Sequence, residues 1–252
     1  MDQNCCLKGK SILITGASSG IGAECSILFS KLGASVILVG RDNHRLKTTY
    51  SQLSGGNHHI LELDITKYLE VESLVSEAVI QVGKISGFIH SAGIELTLPF
   101  KMSKPSHYEE LFAVNVISGF NIAKILAKKK YCETPASYVF ISSVMGLKGG
   151  VGKVVYSCSK GAIISGVRSM ALELSRKNIR VNAISPSIVI TPMVEKLFEQ
   201  LSGSDIEQIE RSHPLGCGSP LDIANMCAYL LSDNSKWITG SNIVADGGFA
   251  IQ

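Results

Sequence analysis

Tyr156 and Lys160 stand four residues apart in Tyr156-Ser157-Cys158-Ser159-Lys160, a spacing that puts a phenol and an ammonium on one face of a helix. A free phenol ionises near pH 10 and is a poor acid–base group at neutral pH, but a cation one turn away favours the phenolate. The pair is therefore expected to move protons, with the pKa of Tyr156 drawn downward. Ser143, in Ile141-Ser142-Ser143-Val144, offers a hydroxyl that can donate to a substrate carbonyl oxygen. Ser142 competes for that role, because successive strand residues point to opposite faces. Asn115 places an amide inside the apolar stretch Phe112-Ala113-Val114-Asn115-Val116, where it is either a satisfied core amide or part of the same site.

A second cluster lies near the N-terminus in Thr15-Gly16-Ala17-Ser18-Ser19-Gly20-Ile21-Gly22. Glycines at this spacing, between an apolar strand and a helix, permit a tight turn and close backbone approach, and the helix N-terminus attracts a pyrophosphate. The expected ligand is a dinucleotide, with Gly16, Ser18, Ser19, Gly20, Ile21 and Gly22 around it. Its oxidised nicotinamide would be a second cation beside the phenol. Depressing that phenol by about three units takes roughly 4 kcal/mol, within reach of two such neighbours. After the second apolar run, Val39 is followed by Gly40 and Arg41, so the acid that would bind ribose hydroxyls is missing and a guanidinium is offered. Arg pairs well with phosphate, which favours NADP(H) over NAD(H). The competing reading has Arg41 pairing with Asp42. Asp64, after the third run, offers either a hydrogen bond to the adenine amino group or a cap for the next helix.

These groups have to be held by a frame. Apolar runs at Ser11–Thr15, Ser35–Val39, His59–Leu63, Gly87–His90, Tyr138–Ser142, Arg180–Ile184 and Asn242–Ala245 alternate with helical patterns at Ile21–Leu32, Asn43–Leu53, Leu69–Val82, Tyr108–Lys130, Val155–Lys177 and Pro220–Leu231. Strands buried on both faces read as continuous apolar runs, and alternation with helices implies a parallel sheet with right-handed crossovers. The expectation is one α/β domain, a doubly wound sheet of about seven strands with helices on both faces. Thr191–Pro214 breaks the rhythm. Two short helices with polar joints there suggest a lid over the carboxyl ends of the strands, where such folds bind ligands.

Composition narrows the function class. The 252 residues are 45% apolar and 18% charged, an ordinary globular balance, and the net charge is only +3. Basic residues form one run, Lys128-Lys129-Lys130, which suits a helix end better than nucleic acid. Seven cysteines without a Cys-x-x-Cys pair, two of them adjacent at Cys5-Cys6, make neither a disulfide framework nor a zinc site. No metal is expected. With no signal-like start and no span of roughly 18 apolar residues, a reducing cytoplasmic setting without membrane contact is expected.

Thr15-Gly16-x3-Gly20-x-Gly22, Asn115, Ser143 and Tyr156-x3-Lys160, in that order, resemble the short-chain dehydrogenase/reductase family over essentially the whole chain. The 3-oxoacyl-acyl-carrier-protein reductases are close cousins, and Thr239-Gly240-Ser241 to Asp246-Gly247-Gly248 is similar to their tail. The resemblance selects Ser143 over Ser142 and implies a Rossmann fold. It implies Tyr156 as general acid, Lys160 on the nicotinamide ribose, Ser143 on the carbonyl and Asn115 anchoring a water that relays protons to Lys160. Ala92, Gly93, Val189 and Thr191 would line the cofactor. A ketone or secondary alcohol is the implied substrate. A carrier-bound 3-oxoacyl thioester is one candidate, for which Lys129, Arg168 and Lys177 could form a basic rim. A sugar, steroid or hydroxy acid is the other. A homotetramer is the implied assembly, and a nucleotide sensor without catalysis is the rival from another class. Three departures stand out: His90-Ser91 before Ala92-Gly93, where His90 is expected to pack between strands; Ser187 after Pro186; and Lys153, which either meets an anionic substrate group or is a solvated loop residue.

Overall fold

Apolar alternation within each strand sorts side chains onto two cores. Leu13, Ile37, Phe88, Tyr138, Phe140 and Val181 pack on one face of a sheet, while Ile12, Ile14, Val36, Leu38, Ile89 and Val139 pack on the other. In this computed structural model, which describes residues 6–199 and 202–251, the strands are β1 (Ser11–Thr15), β2 (Ser35–Gly40), β3 (His59–Glu62), β4 (Ile85–His90), β5 (Cys132–Ile141), β6 (Ile179–Pro186) and β7 (Asn242–Ala245). They form one parallel sheet in the order β3-β2-β1-β4-β5-β6-β7. This is the doubly wound Rossmann arrangement. Strand order reverses between β1 and β4, which opens a crevice at their carboxyl ends.

The helices are α1 (Gly20–Lys31), α2 (Asn43–Tyr50), α3 (Val71–Val82), α4 (Pro105–Phe112), α5 (Ser118–Leu126), α6 (Val154–Ser175), α7 (Pro192–Phe198), α8 (Gly203–Arg211) and α9 (Pro220–Leu231). The ends follow local chemistry. Pro220 opens α9, and Ser219 and Asp222 cap its backbone reciprocally. Thr191–Pro214 does hold two short helices, α7 and α8, with positions 200 and 201 outside the described residues; Cys5 lies outside them too. Among the described residues, no helix is long and apolar enough to cross a membrane, and no cluster of acidic, His or Cys side chains could hold a metal.

Two elements differ from expectation. The single helix expected over Tyr108–Lys130 is α4 and α5 joined by a π-helical turn, Ala113–Ile117. The turn is centred on Asn115. β5 starts at Cys132, six residues earlier than its apolar run, because Glu133, Thr134 and Pro135 are exposed and break the hydrophobic signal.

Candidate active site

The crevice at the strand ends contains a cavity of about 400 Å³ bounded by the glycine turn, the ends of β2, β4, β5 and β6, and the start of α7. On one side the backbone itself is the wall. Gly16 has φ +70°, and a Cβ there would lie 2.8 Å from Ala92 N; a Cβ on Gly22 would lie 2.3 Å from Gly16 O. Both positions are closed to side chains, so strand, turn and helix pack backbone to backbone. Ser19, the N-cap of α1, makes no side-chain cap bond, and the first turn carries no acid. Amide donors at the start of α1 are therefore left for an outside anion. A nicotinamide dinucleotide fits this cradle: its pyrophosphate has free N–H groups to meet and its approach is unobstructed. Ser18, Ser19, Gly20 and Ile21 line the same cavity. Thr191 closes over it, its Cγ2 3.1 Å from where a Cβ of Gly20 would stand, and Val189 and Thr191 complete the wall.

Arg41 lines the far end of the cavity beside Asp64. The reading that pairs Arg41 with Asp42 is not what the structure holds, because Asp42 is spent as the N-cap of α2, accepting from Arg45 N at 3.1 Å. Among the described residues Arg41 has no ion pair. Arg45, in the first turn of α2, lines the cavity too and was not singled out from the sequence. A signal for it existed: a cation in a helix's first turn opposes the macrodipole, so a reason has to be sought elsewhere. Asp64 does not cap a helix, since α3 begins only at Val71. Its Oδ1 instead accepts from Thr66 N at 3.0 Å and Thr66 Oγ1 at 2.7 Å, bonds that hold its carboxyl below the usual range.

At the other end, Tyr156, Ser143 and Lys160 converge. Ser143, just past the end of β5, lines the same cavity as the Tyr156 phenol and caps the following turn by accepting from Met145 N at 3.2 Å. Ser142 points away, and its hydroxyl donates to Lys160 O at 2.8 Å, fixing α6 against β5. The carboxyl-terminal strand end thus presents one serine to the cavity as a donor and uses the other as a strut.

The electrostatic balance corrects the expected depression of the Tyr156 pKa. Burial pushes the phenol up to about 12; the nearby Ser143 hydroxyl opposes this and Glu95 reinforces it. Burial also pulls Lys160 down to about 8. Lys160 Nζ donates to Ile141 O at 2.9 Å and stands 5.6 Å from the phenol ring centroid, so its charge is directed at a carbonyl and not at the phenolic oxygen. Desolvation of a phenolate outweighs a cation aimed elsewhere. The consequence is a phenol that keeps its proton at neutral pH, the state an acid needs.

Asn115 is satisfied on every side. Its Oδ1 accepts from Ile94 N at 2.8 Å, while its Nδ2 donates to Ile94 O at 3.0 Å and Ser159 Oγ at 3.0 Å. It clips the chain after β4 to α6, one residue from Lys160. Gly93 fits against this amide, since a Cβ would lie 3.3 Å from Asn115 Oδ1 and 3.5 Å from Lys160 Nζ. The main-chain carbonyl of Asn115 accepts from His90 Nε2 at 3.2 Å, which makes Nδ1 the acceptor facing Thr15 Oγ1 at 3.0 Å. Burial lowers the pKa of His90 to about 4, so the ring is neutral and packs between strands. Thr15 Oγ1 also accepts from Ala92 N at 3.2 Å. Bracing of β1 against β4 therefore runs through Thr15 and His90, with no part required of Ser91. Ser187 is likewise absorbed: its hydroxyl pairs with His213 Nε2 at 2.8 Å and joins β6 to the segment after α8. Lys153 is not a free loop cation, because it ion-pairs with Glu95.

With this geometry in place, comparison with known proteins decides the family. A family model described as Enoyl-(Acyl carrier protein) reductase matches residues 16–250. The 3-oxoacyl-[acyl-carrier-protein] reductase of Thermotoga maritima is 33% identical over 97% of this chain and 99% of its own length. The chain belongs to the short-chain dehydrogenase/reductase family. A 7alpha-hydroxysteroid dehydrogenase of Escherichia coli is 31% identical, over 98% of this chain and 96% of that protein. Among solved structures, a short-chain dehydrogenase/reductase from Brucella melitensis, titled a glucose/ribitol dehydrogenase, superposes with a TM-score of 0.89 at 27% identity, covering 96% of this chain and 97% of that one. The protein is an oxidoreductase of this family, and its relatives span acyl, steroid and sugar chemistry.

Proposed function

We propose that the protein is an NADP(H)-dependent oxidoreductase that reduces a ketone to a secondary alcohol, with a 3-oxoacyl thioester as the first substrate class to test. The observation that carries this reading is the meeting of Tyr156, Ser143 and Lys160 on one wall of the cavity that the glycine turn also borders. When bound, the dinucleotide supplies the hydride. The residues of this chain do the rest. Ser143 donates to the carbonyl oxygen and orients it. Tyr156 Oη releases its proton to that oxygen as charge develops there. Lys160 would hold the nicotinamide ribose, and Asn115 fixes the main chain on which Lys160 depends, its carbonyl keeping one lone pair beside the His90 bond for a water that relays protons toward Lys160. Gly16, Ser18, Ser19, Gly20, Ile21 and Gly22 would receive the pyrophosphate, Ala92, Gly93, Val189 and Thr191 would flank the nicotinamide, and Asp64 would face the adenine.

NADP(H) is favoured over NAD(H) by two guanidiniums, Arg41 and Arg45, at the far end of the cavity and by the missing acid after Val39. An Arg41→Asp variant is expected to bind NADPH about 30-fold more weakly, the worth of one charge-assisted phosphate pair. Its NADH affinity should hold or improve. Titrating both nucleotides against the two proteins checks this, and unchanged NADPH affinity removes the argument for a bound 2′-phosphate. Loss of NADPH absorbance across a ketone panel tests the function itself. The panel includes a hydroxysteroid ketone, the substrate class favoured by the 7alpha-hydroxysteroid dehydrogenase relative. Binding of NADPH with no oxidation by any ketone would point to a nucleotide sensor.

A further inference from the structure

Glu95 lies in the segment between β4 and α4 and lines the cavity shared by Tyr156 and Ser143. One oxygen is occupied. Oε1 pairs with Lys153 Nζ and accepts from Thr97 Oγ1 at 2.8 Å, while Oε2 takes no bond from any described residue. Lys153 Nζ also donates to Thr97 Oγ1, and Lys153 is not part of the cavity wall. The cation is therefore held in a seam between two loops, while Glu95, with Oε2 uncommitted, borders the cavity. That seam is fixed by backbone as well, with Leu98 N donating to Gly152 O at 2.9 Å. The two side chains are only 28% and 22% exposed, so solvent and salt screen them less than they would an open surface pair. The carboxylate also reaches the catalytic end of the cavity electrostatically, since Glu95 raises the pKa of Tyr156.

We propose that Glu95 is a specificity-determining residue, a charge filter that admits ketones with neutral or hydrogen-bond-donating neighbours and rejects those with a carboxylate beside the reacting carbonyl. The inference rests on the ketone reduction proposed above. A free 3-oxo acid carries its anionic carboxylate two bonds from the ketone carbon, and juxtaposing it with Glu95 is the like-charge penalty by which sites exclude wrong partners. The ester or thioester of the same acid is neutral there and passes. Glu95 therefore separates an activated acyl group from the unactivated acid, with the lone pairs of Oε2 left to accept from a substrate hydroxyl or amide.

The test compares acetoacetate with ethyl acetoacetate, the full chain and NADPH being used throughout. Wild type is expected to favour the ester in kcat/KM, and Glu95→Gln should cut that preference about tenfold by gaining on the acid. Lys153→Met removes the compensating cation and should raise the preference about threefold. Dissociation constants of the two compounds, read by calorimetry without turnover, should move in the same directions. A loop that was merely loosened would shift both variants the same way. An ester-to-acid ratio untouched by Glu95→Gln, or moved alike by both variants, overturns the filter. If wild type oxidises NADPH with neither compound nor any panel ketone, the reductase reading falls first and takes the filter with it.

Discussion

Replacing Tyr156 with phenylalanine is expected to lower kcat for ketone reduction about a thousandfold, the scale of a lost general acid, and to move NADPH affinity by less than about threefold. The substitution deletes one oxygen and keeps the ring that packs in α6 beside Lys160. Ser143 keeps its bond from Met145 N, so the strand end stays in place. Only the transferable proton is gone. Because the phenol sits near 12 in the folded protein, it remains protonated through neutral pH, and the reductive rate should not decline with loss of its proton until strongly alkaline conditions. Lys160 is the group that titrates earlier, near 8, and its ammonium is present below that value and lost above it. Reductive activity should thus fall as pH rises past about 8 through Lys160 while the phenol still holds its proton. Steady-state kinetics of both proteins across this range, with NADPH binding measured separately, checks the set. A Phe variant of undiminished kcat would remove Tyr156 from the chemistry.

The second large effect belongs to Gly22. A methyl group there would sit 2.3 Å from Gly16 O and 2.7 Å from Gly16 C, both backbone atoms with no flexible end to yield. Gly22→Ala must push α1 off the strand-to-helix turn, and overpacking of this kind costs about 1–3 kcal/mol or more in stability. NADPH affinity should fall by about a hundredfold, because the amides at the start of α1 lose their alignment. Gly149→Ala is the control: that residue is exposed, its φ is not positive, and nothing lies within 4 Å of its Cβ position. Thermal unfolding and nucleotide titration of the two variants should separate them clearly. Equal behaviour would show that the turn is not held by backbone contact.

Much of this site was legible from residue order, and the reasons for the rest are physical. The strands were readable because sheets buried on both faces leave continuous apolar runs, as in Ile12-Leu13-Ile14 and Val36-Ile37-Leu38. The Tyr156–Lys160 spacing announces a shared helix face. It does not announce where the ammonium points, and Nζ turns to Ile141 O. Hence the sign of the phenol's shift was missed: burial is a sum over the whole fold, invisible to a local pair. The π turn at Asn115 was hidden because one extra residue in a helix barely disturbs apolar periodicity. Glu95 and Lys153 lie 58 positions apart, and only the docking of one loop on another joins them. Ser142 and Ser143 could be told apart only by resemblance, since alternation along a strand says that they diverge and not which one faces the cavity.

The most direct test follows the transferred atoms. NADPH carrying deuterium at the reactive nicotinamide carbon is incubated with the protein and a ketone that it consumes, and the alcohol is analysed by mass spectrometry. Each of the two faces of that carbon is labelled in turn. One labelling is predicted to give an alcohol with a single deuterium on the carbinol carbon, its hydroxyl hydrogen coming from solvent, and the Tyr156→Phe variant is predicted to form it about a thousandfold more slowly. An alcohol free of deuterium from both labelled forms, or one formed at the wild-type rate by the variant, would contradict the account.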